Sequence, residues 1–368
     1  MLYAAACQCI LYRHAAIMPQ SMNTIAIDCR FAATQSGLGR YTRELITRVV
    51  QRDHASRYVL FVRSASEDWI PRQLQHVSVV ESNFSHYSFA EQWHLPRLIL
   101  RSKANLFFSP HFNVPFFCPT PFVMTVHDLI LHHFPNEASF LKQVAYRLLL
   151  ARSVRRASHI MTVSNFVMQE IVDSYGTNIA KRISVVREGV SESYRFRSAE
   201  EIDVVKKAYG LDKPYFLYVG NCKQHKNVST LLGAFLMLPR GSSQLILVTG
   251  GKEVRQLGIL PLGVRVLSGL SDQAMSCLYS GARSFVTASL YEGFCLPIAE
   301  ALACGCPVIA SHRAAIPETA AGRSVLVEPT VECLATAMSM PSERPLPFIG
   351  TTWEQAAASA LSIFRSAF

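Results

Sequence analysis

Short runs rich in Val, Ile, Leu and Phe recur along this chain between longer stretches of helical periodicity, each bounded by Gly, Pro or polar residues. No other feature restricts the fold as strongly, because near-continuous apolar strands alternating with helices are the pattern of parallel α/β sheets covered on both faces. Strands are predicted at Thr24–Cys29, Tyr58–Val62, Val77–Glu81, Leu106–Phe108, Phe122–Val126, Ile160–Val163 and Ile183–Val186. After a polar connection, Glu188–Glu201, a second series follows at Tyr215–Val219, Gln244–Val248, Val264–Leu267, Ser284–Val286, Pro307–Ala310 and Val325–Val327. Two successive sheets are implied. Residues 22–195 form the first predicted domain and 196–350 the second; 351–368 is a terminal helix returning to the first, and 1–21 is an N-terminal extension ahead of the first strand. Each series opens with a strand, a glycine-containing loop and a helix. Ligands of open sheets bind at the carboxyl ends of the strands, so two facing sheets predict one interdomain cleft.

Composition narrows the classes. Half the residues are hydrophobic and 17% charged, with mean hydropathy +0.19, which suits a packed globular chain rather than a disordered one. No apolar run is long enough to cross a bilayer, and Met1–Tyr12 lacks the basic start of a secretory signal. The ten cysteines are scattered, and the close pairs Cys7/Cys9 and Cys304/Cys306 lack metal-finger spacing, so a reducing cytoplasm is expected. Net charge is +10, and its excess is local: residues 1–195 hold 21 Lys and Arg against 13 Asp and Glu, the remainder 15 against 13. Nucleic acid, anionic lipid or phosphorylated substrates would each suit it.

Three segments carry chemistry. Gly37-Leu38-Gly39 follows a strand and opens a helix, where backbone amides can reach a phosphate; a turn needing glycine's flexibility is the alternative. It lacks the third glycine of the dinucleotide fingerprint. Gly220–Asn227 delivers Lys223, His225 and Lys226 just before a helix, a phosphate-recognising composition without the Walker pattern; a solvated basic loop is the alternative. Ser289–Ala310 places Glu292 in a loop and Glu300 eight residues later on the following helix, in an apolar Gly/Pro setting where unpaired carboxylates make poor core residues.

That last block resembles the Glu-x7-Glu signature of retaining nucleotide-sugar glycosyltransferases of GT-B fold, glycosyltransferase family 4. Further landmarks are similar in order: Ser36–Tyr41, Ser109–Pro115, Thr125–Asp128, Val163–Asn165, Gly220–Asn227, Gly269–Asp272 and Trp353. The resemblance implies two Rossmann-like domains facing a cleft. It also implies that Glu300 binds the donor ribose, Glu292 lies by the transferred sugar, His127 contacts that sugar near the reacting carbon, and Lys226 and Lys223 neutralise the diphosphate. Amides of Gly39, Phe294, Cys295 and Leu296 would add donors to phosphate and sugar oxygens, with Gly37 shaping the same loop. Three positions depart from the family: His225 replaces an arginine, Cys295 a glycine, and Glu188 an asparagine.

The implied reaction is sugar transfer with retention, by same-face substitution rather than through a covalent glutamate. No metal or other cofactor is expected, since the chain has no Asp-x-Asp and basic side chains can stabilise the leaving diphosphate. GDP-mannose is the first donor choice, with rhamnosyl or glucosyl transfer as alternatives; a UDP-sugar epimerase of the same fold and a nucleic-acid-binding protein are competing readings from other classes. The expected acceptor is a polyprenyl-diphosphate-linked saccharide of bacterial surface polysaccharide. Arg97, Arg101, Lys103, Arg147, Arg152, Arg155 and Arg156, beside the apolar Leu148–Leu150, suggest peripheral docking on the inner face of an anionic membrane; an ordinary solvated basic face is the alternative.

Overall fold

Parallel strands buried on both faces need apolar side chains throughout, and the central strands here meet that demand: β4, β5, β11 and β12 carry no exposed residue. The computed structural model describes residues 22–250 and 252–368; the expected extension 1–21 lies outside the described residues. In chain order the first half contains β1 (Thr24–Asp28), α1 (Gly37–Arg52), β2 (Arg57–Val62), β3 (Val77–Glu81), α2 (Phe89–Arg101), β4 (Leu106–Ser109) and β5 (Phe122–Val126). It continues through α3 (Ile130–His133), α4 (Phe140–Arg156), β6 (His159–Thr162), α5 (Asn165–Tyr175) and β7 (Ile183–Val185). The second half contains α6 (Ala199–Ala208), β8 (Tyr215–Val219), α7 (Val228–Leu236), β9 (Gln244–Val248), β10 (Val264–Leu267), α8 (Asp272–Gly281) and β11 (Ser284–Thr287). It closes with α9 (Leu296–Ala303), β12 (Val308–Ser311), α10 (Ile316–Ala320), β13 (Val325–Val327), α11 (Val331–Ser339) and α12 (Trp353–Ser366).

The strands form a seven-stranded sheet of order β3-β2-β1-β4-β5-β6-β7 and a six-stranded sheet of order β10-β9-β8-β11-β12-β13. Every strand pairing is parallel, with registers such as Ile25 opposite Tyr58 and Phe216 opposite Leu245. Both sheets are Rossmann-like, with the order reversing beside the first strand, which is where a crevice opens at the strands' carboxyl ends. Each expected strand is present, with ends that coincide with the prediction or shift by one residue. Cys29, Val163 and Val186, predicted inside strands, lie just beyond carboxyl ends, where the chain turns into the cleft.

Helix α1 starts at Ser36, whose hydroxyl accepts from the Gly39 amide, and buries Tyr41, Leu45, Ile46, Val49 and Val50 along one face. Helix α12 belongs to the same core. A capping box between Thr352 and Gln355 starts it, and Trp353, Ala357, Ala360, Leu361 and Phe364 pack into the cluster containing Ile25, Leu45 and Val49. Burying Trp353 or Phe364 there stabilises by roughly 2–3 kcal/mol each. The chain thus crosses twice between its halves, once near 190 and again before α12. The crossings touch: Val190 N donates to Thr351 O at 3.0 Å, and a β-carbon on Gly189 would lie 2.2 Å from the Trp353 nitrogen, so only glycine fits.

Candidate active site between the two sheets

Strand β8 ends at Val219, and Asn221 and the turn Gln224–Lys226 then carry Lys226 inward. Its ammonium donates to both oxygens of Glu292, at 2.7 Å each, in the loop after β11. Burial opposes the charged lysine, but the adjacent Glu292 carboxylate outweighs it and holds the ammonium's pKa above the usual lysine value. Two residues predicted for different parts of one substrate are therefore direct partners. Lys223 does not join them: it is exposed, with no side-chain partner among the described residues.

Helix α9 begins at Leu296 with no side-chain cap from Cys295, so its first turn is left as an electropositive helix start, with Phe294 just ahead of it. Cys295 holds φ +73°, a left-handed conformation that explains why glycine suits the position. Its thiol is buried beside Glu292 and Lys226, and burial pushes its pKa well up, so it remains a neutral packing group. Across the cleft, Gly39 shows a different use from the one expected. Its amide donates to Ser36 Oγ at 3.2 Å, leaving Gly37 and Leu38 ahead of it as the open end of α1. A β-carbon on Gly39 would lie 2.1 Å from Thr34 O, whereas one on Gly37 would meet nothing.

Glu300, on α9, is 5% exposed and faces the first half of the chain. Arg40 Nη1 donates to its Oε1 at 2.5 Å and to Tyr194 Oη at 2.8 Å, while Nη2 pairs with Asp272. Tyr279 Oη adds a bond to Glu300 Oε2 at 3.1 Å. Burial nevertheless pushes the Glu300 pKa up to about 7, against the pull of Arg40 and Tyr279. Arg40 lay inside a motif noted for its glycines, and its ion pairs could not be read from spacing because its partners lie more than 200 residues away.

His127 follows β5. Its Nε2 lies 2.9 Å from Pro110 O, its Nδ1 3.3 Å from Glu188 Oε1, and the Tyr41 ring meets it edge-on at 4.5 Å. Glu188, whose role the sequence left open, is thus the carboxylate that orients this imidazole. His225, at the arginine position, turns away from the cleft charge: Nδ1 is 2.6 Å from Glu137 Oε1, and burial lowers its pKa, so it supplies no fixed cation. The halves are drawn tightly together. Ser164 Oγ donates to Gly293 O at 2.6 Å, Glu318 accepts from the Asn165 amide at 2.9 Å, and Tyr291 Oη accepts from the Leu129 amide at 2.9 Å. A β-carbon on Gly293 would lie 1.8 Å from His127 O, so this glycine, unremarked in the sequence, lets the two loops meet.

Elsewhere among the described residues, Asp28, His86 and Glu91 bring potential ligand atoms within 4.8 Å of one another. Arg30 donates to Asp28 and to Glu91 at 2.6 Å, so a guanidinium already balances both carboxylates and a metal ion would be repelled there.

The arrangement offers an electropositive lysine and two open helix starts for an anion, one buried and one partly buried carboxylate for hydroxyl groups, and a positioned histidine. Residues 35–194 match the family described as Glycosyltransferase Family 4, and residues 200–339 the one described as Glycosyl transferases group 1. An O-antigen chain mannosyltransferase B from Escherichia coli is 29% identical over 320 residues, covering 80% of this chain and 83% of that protein. The O-antigen chain mannosyltransferase RfbU of Salmonella typhimurium is 31% identical over 216 residues, 57% of each chain. Among solved structures, a sucrose-phosphate synthase from Thermosynechococcus elongatus superposes with a TM-score of 0.71 at 19% identity, covering 94% of this chain and 98% of that one.

Proposed function

The chain belongs to the family 4 glycosyltransferases of GT-B fold, and from that premise we propose that it transfers mannose from GDP-mannose to a saccharide hydroxyl with retention of configuration. The observation that carries the reading is a pair of carboxylates, the partly buried Glu292 and the buried Glu300, each already held by a cation: Glu292 by Lys226 and Glu300 by Arg40. In this reading the ribose hydroxyls donate to Glu300, and the diphosphate lies by Lys226 and the open amides of α9. The bond from the sugar's anomeric carbon to the β-phosphate oxygen breaks, and its electron pair leaves with GDP. The acceptor oxygen bonds to the same face of that carbon, and its proton passes to the departing phosphate. Lysine and helix-end amides stabilise the growing negative charge, which is the task a metal ion performs in other transferases. His127, oriented by Glu188, lies by the sugar ring.

The names of the two enterobacterial relatives support mannose and a surface-polysaccharide acceptor. Lipid linkage of that acceptor is supported by one face of the first half. Phe89, Trp93 and Leu100 on α2, Phe116 and Phe117 in the loop between β4 and β5, and Phe140, Leu141 and Leu148 on α4 are all exposed. The face is continuous, since Gln92 Oε1 accepts from the Phe116 amide and Arg152 stacks on the Phe116 ring. Arg97, Arg101, Lys103, Arg147, Arg155 and Arg156 accompany it. Apolar rings among cations suit peripheral docking on anionic lipid. No described helix is long and apolar enough to cross a membrane.

The test is nucleotide release from a panel of GDP- and UDP-sugars, with chelator present, for the wild-type protein and for Glu300→Ala and Lys226→Ala. GDP-mannose should be turned over with an α-linked product, and both variants should lose at least a hundredfold. Turnover of another donor alone would reject mannose, and unaltered variants would reject the site. Flotation with anionic and neutral vesicles tests docking: Trp93→Ser with Phe117→Ser should abolish recovery with the anionic ones, and equal recovery with both vesicle types would count against it.

A further inference from the structure

The segment Ser109–Pro115 and the turn before α2 build a second set of rings that the donor side leaves unused. Tyr87 is 60% exposed and holds φ +57°, a left-handed backbone that costs a tyrosine about 1–2 kcal/mol. Buried groups maintain that conformation. Glu91 Oε2 accepts from the Tyr87 amide at 2.7 Å and from Asn113 Nδ2 at 2.9 Å, while Glu91 Oε1 accepts from Arg30 at 2.6 Å. His111 is fixed separately, its carbonyl accepting from Ser109 Oγ at 2.6 Å.

These supports place a row of rings at the carboxyl ends of β1, β3, β4 and β5, where open sheets bind ligands. Phe31 follows β1, with His86 stacked on it at 3.7 Å and 7°. Tyr87 follows β3, and its hydroxyl lies 3.3 Å from His111 Nδ1. The His111 ring lies 6.1 Å from that of Tyr87 and 6.5 Å from that of His127. Burial, with the neighbouring His127 and His86, holds the His111 pKa well below the usual histidine value, so the ring is neutral, one nitrogen donating and the other accepting. The row therefore presents apolar ring faces and uncharged polar tips, one ring away from the histidine of the reaction site. A neutral ligand with an apolar face and a rim of hydroxyls matches it; a phosphate does not.

We propose that Tyr87 and His111, backed by Phe31 and His86, form the subsite that holds a pyranose ring of the saccharide acceptor beside His127. This rests on the glycosyl-transfer reading and extends it by naming the acceptor's contacts. The exposed Tyr87 ring stacks on the sugar's C–H face, and the His111 imidazole bonds its hydroxyls. The strained backbone and the buried Arg30–Glu91–Asn113 network exist to aim that ring.

The experiment is saturation-transfer NMR with methyl α-D-mannopyranoside on the GDP-loaded protein, beside a calorimetric titration of GDP. Tyr87→Asn removes the ring while tolerating left-handed φ, Tyr87→Phe keeps the ring, and His111→Ala removes the polar tip. Wild-type protein should show saturation transfer, reduced at least fivefold in Tyr87→Asn and His111→Ala and largely retained in Tyr87→Phe, with GDP affinity within twofold throughout. No transfer in the wild type, or an undiminished signal in both Tyr87→Asn and His111→Ala, would overturn the subsite. Pyranose binding of the expected pattern without turnover of any nucleotide sugar would uphold the sugar site and overturn the transfer reading instead.

Discussion

The proposed ribose role of Glu300 predicts a donor affinity that depends on pH in a direction set by the burial of this carboxyl. An ionised carboxylate accepts hydrogen bonds from ribose hydroxyls more strongly than the neutral acid, and burial has pushed the Glu300 pKa up to about 7 despite Arg40 beside it. With that midpoint roughly one tenth is ionised at pH 6 and nine tenths at pH 8, so affinity should rise between them by as much as about tenfold, or ~1.4 kcal/mol. The ligand to titrate is an intact nucleotide sugar, whose diphosphate is a diester without the secondary ionisation near pH 6 that a terminal phosphate brings. Calorimetry at constant ionic strength should show that rise in the wild type and a weak, flat profile in Glu300→Gln. Arg40→Gln removes the guanidinium's pull, so its profile should shift to higher pH. Stability of the unliganded protein should move the opposite way. The folded pKa lies above the ordinary 4.5, so this group's contribution is complete below pH 4.5 and is lost as pH rises through 7, up to about 3 kcal/mol. A flat wild-type binding profile, or a slope that survives in Glu300→Gln, would refute the assignment of Glu300 to the ribose.

Three further outcomes follow from contacts. Gly293→Ala sets a methyl 1.8 Å from the His127 carbonyl, backbone against side-chain root with no rotamer to relieve it. The halves must part, so turnover should fall about a hundredfold with a larger scattering radius and little change in melting; unchanged turnover would mean that this closure is not used in catalysis. Arg30→Met strands Asp28 and Glu91 as buried, uncompensated carboxylates, and urea unfolding should show a loss of about 3–5 kcal/mol, a loss below ~1 kcal/mol contradicting the network. Cys295→Gly relieves a left-handed residue, worth about 1–2 kcal/mol, but removes a buried thiol worth a similar amount, so the net change should stay within ~1 kcal/mol by the same measurement.

How much of this was legible in the chain differs between elements and partners. Strands β5, β8, β9 and β10 begin and end where their apolar runs predict, because burial on both faces selects side chains residue by residue. The terminal helix and the helix after Glu292 were equally readable, since helix starts are written over three or four neighbouring residues. The site was visible as separate pieces: Lys226, Glu292, Glu300 and His127 were marked, but as contacts to an absent substrate rather than to one another. Arg40, Glu188 and Gly293 were passed over or left open, although Glu188 stood out as a departure. Tyr87 had no local signal at all, its strained exposure being set by Glu91 and Asn113.

The amino-acid sequence by itself therefore determined the two parallel sheets, their order along the chain, and the segments that carry the candidate site's charged residues. Only the tertiary structure decided which charge answers which: Arg40 with Glu300 across 260 positions, Lys226 with Glu292 across 66, and Glu188 with His127. Periodicity and capping are short-range and written in neighbouring residues. The Coulomb interaction and burial that set a pKa near 7 at Glu300 depend on distance through space, which the chain defines only once its two halves have closed on each other.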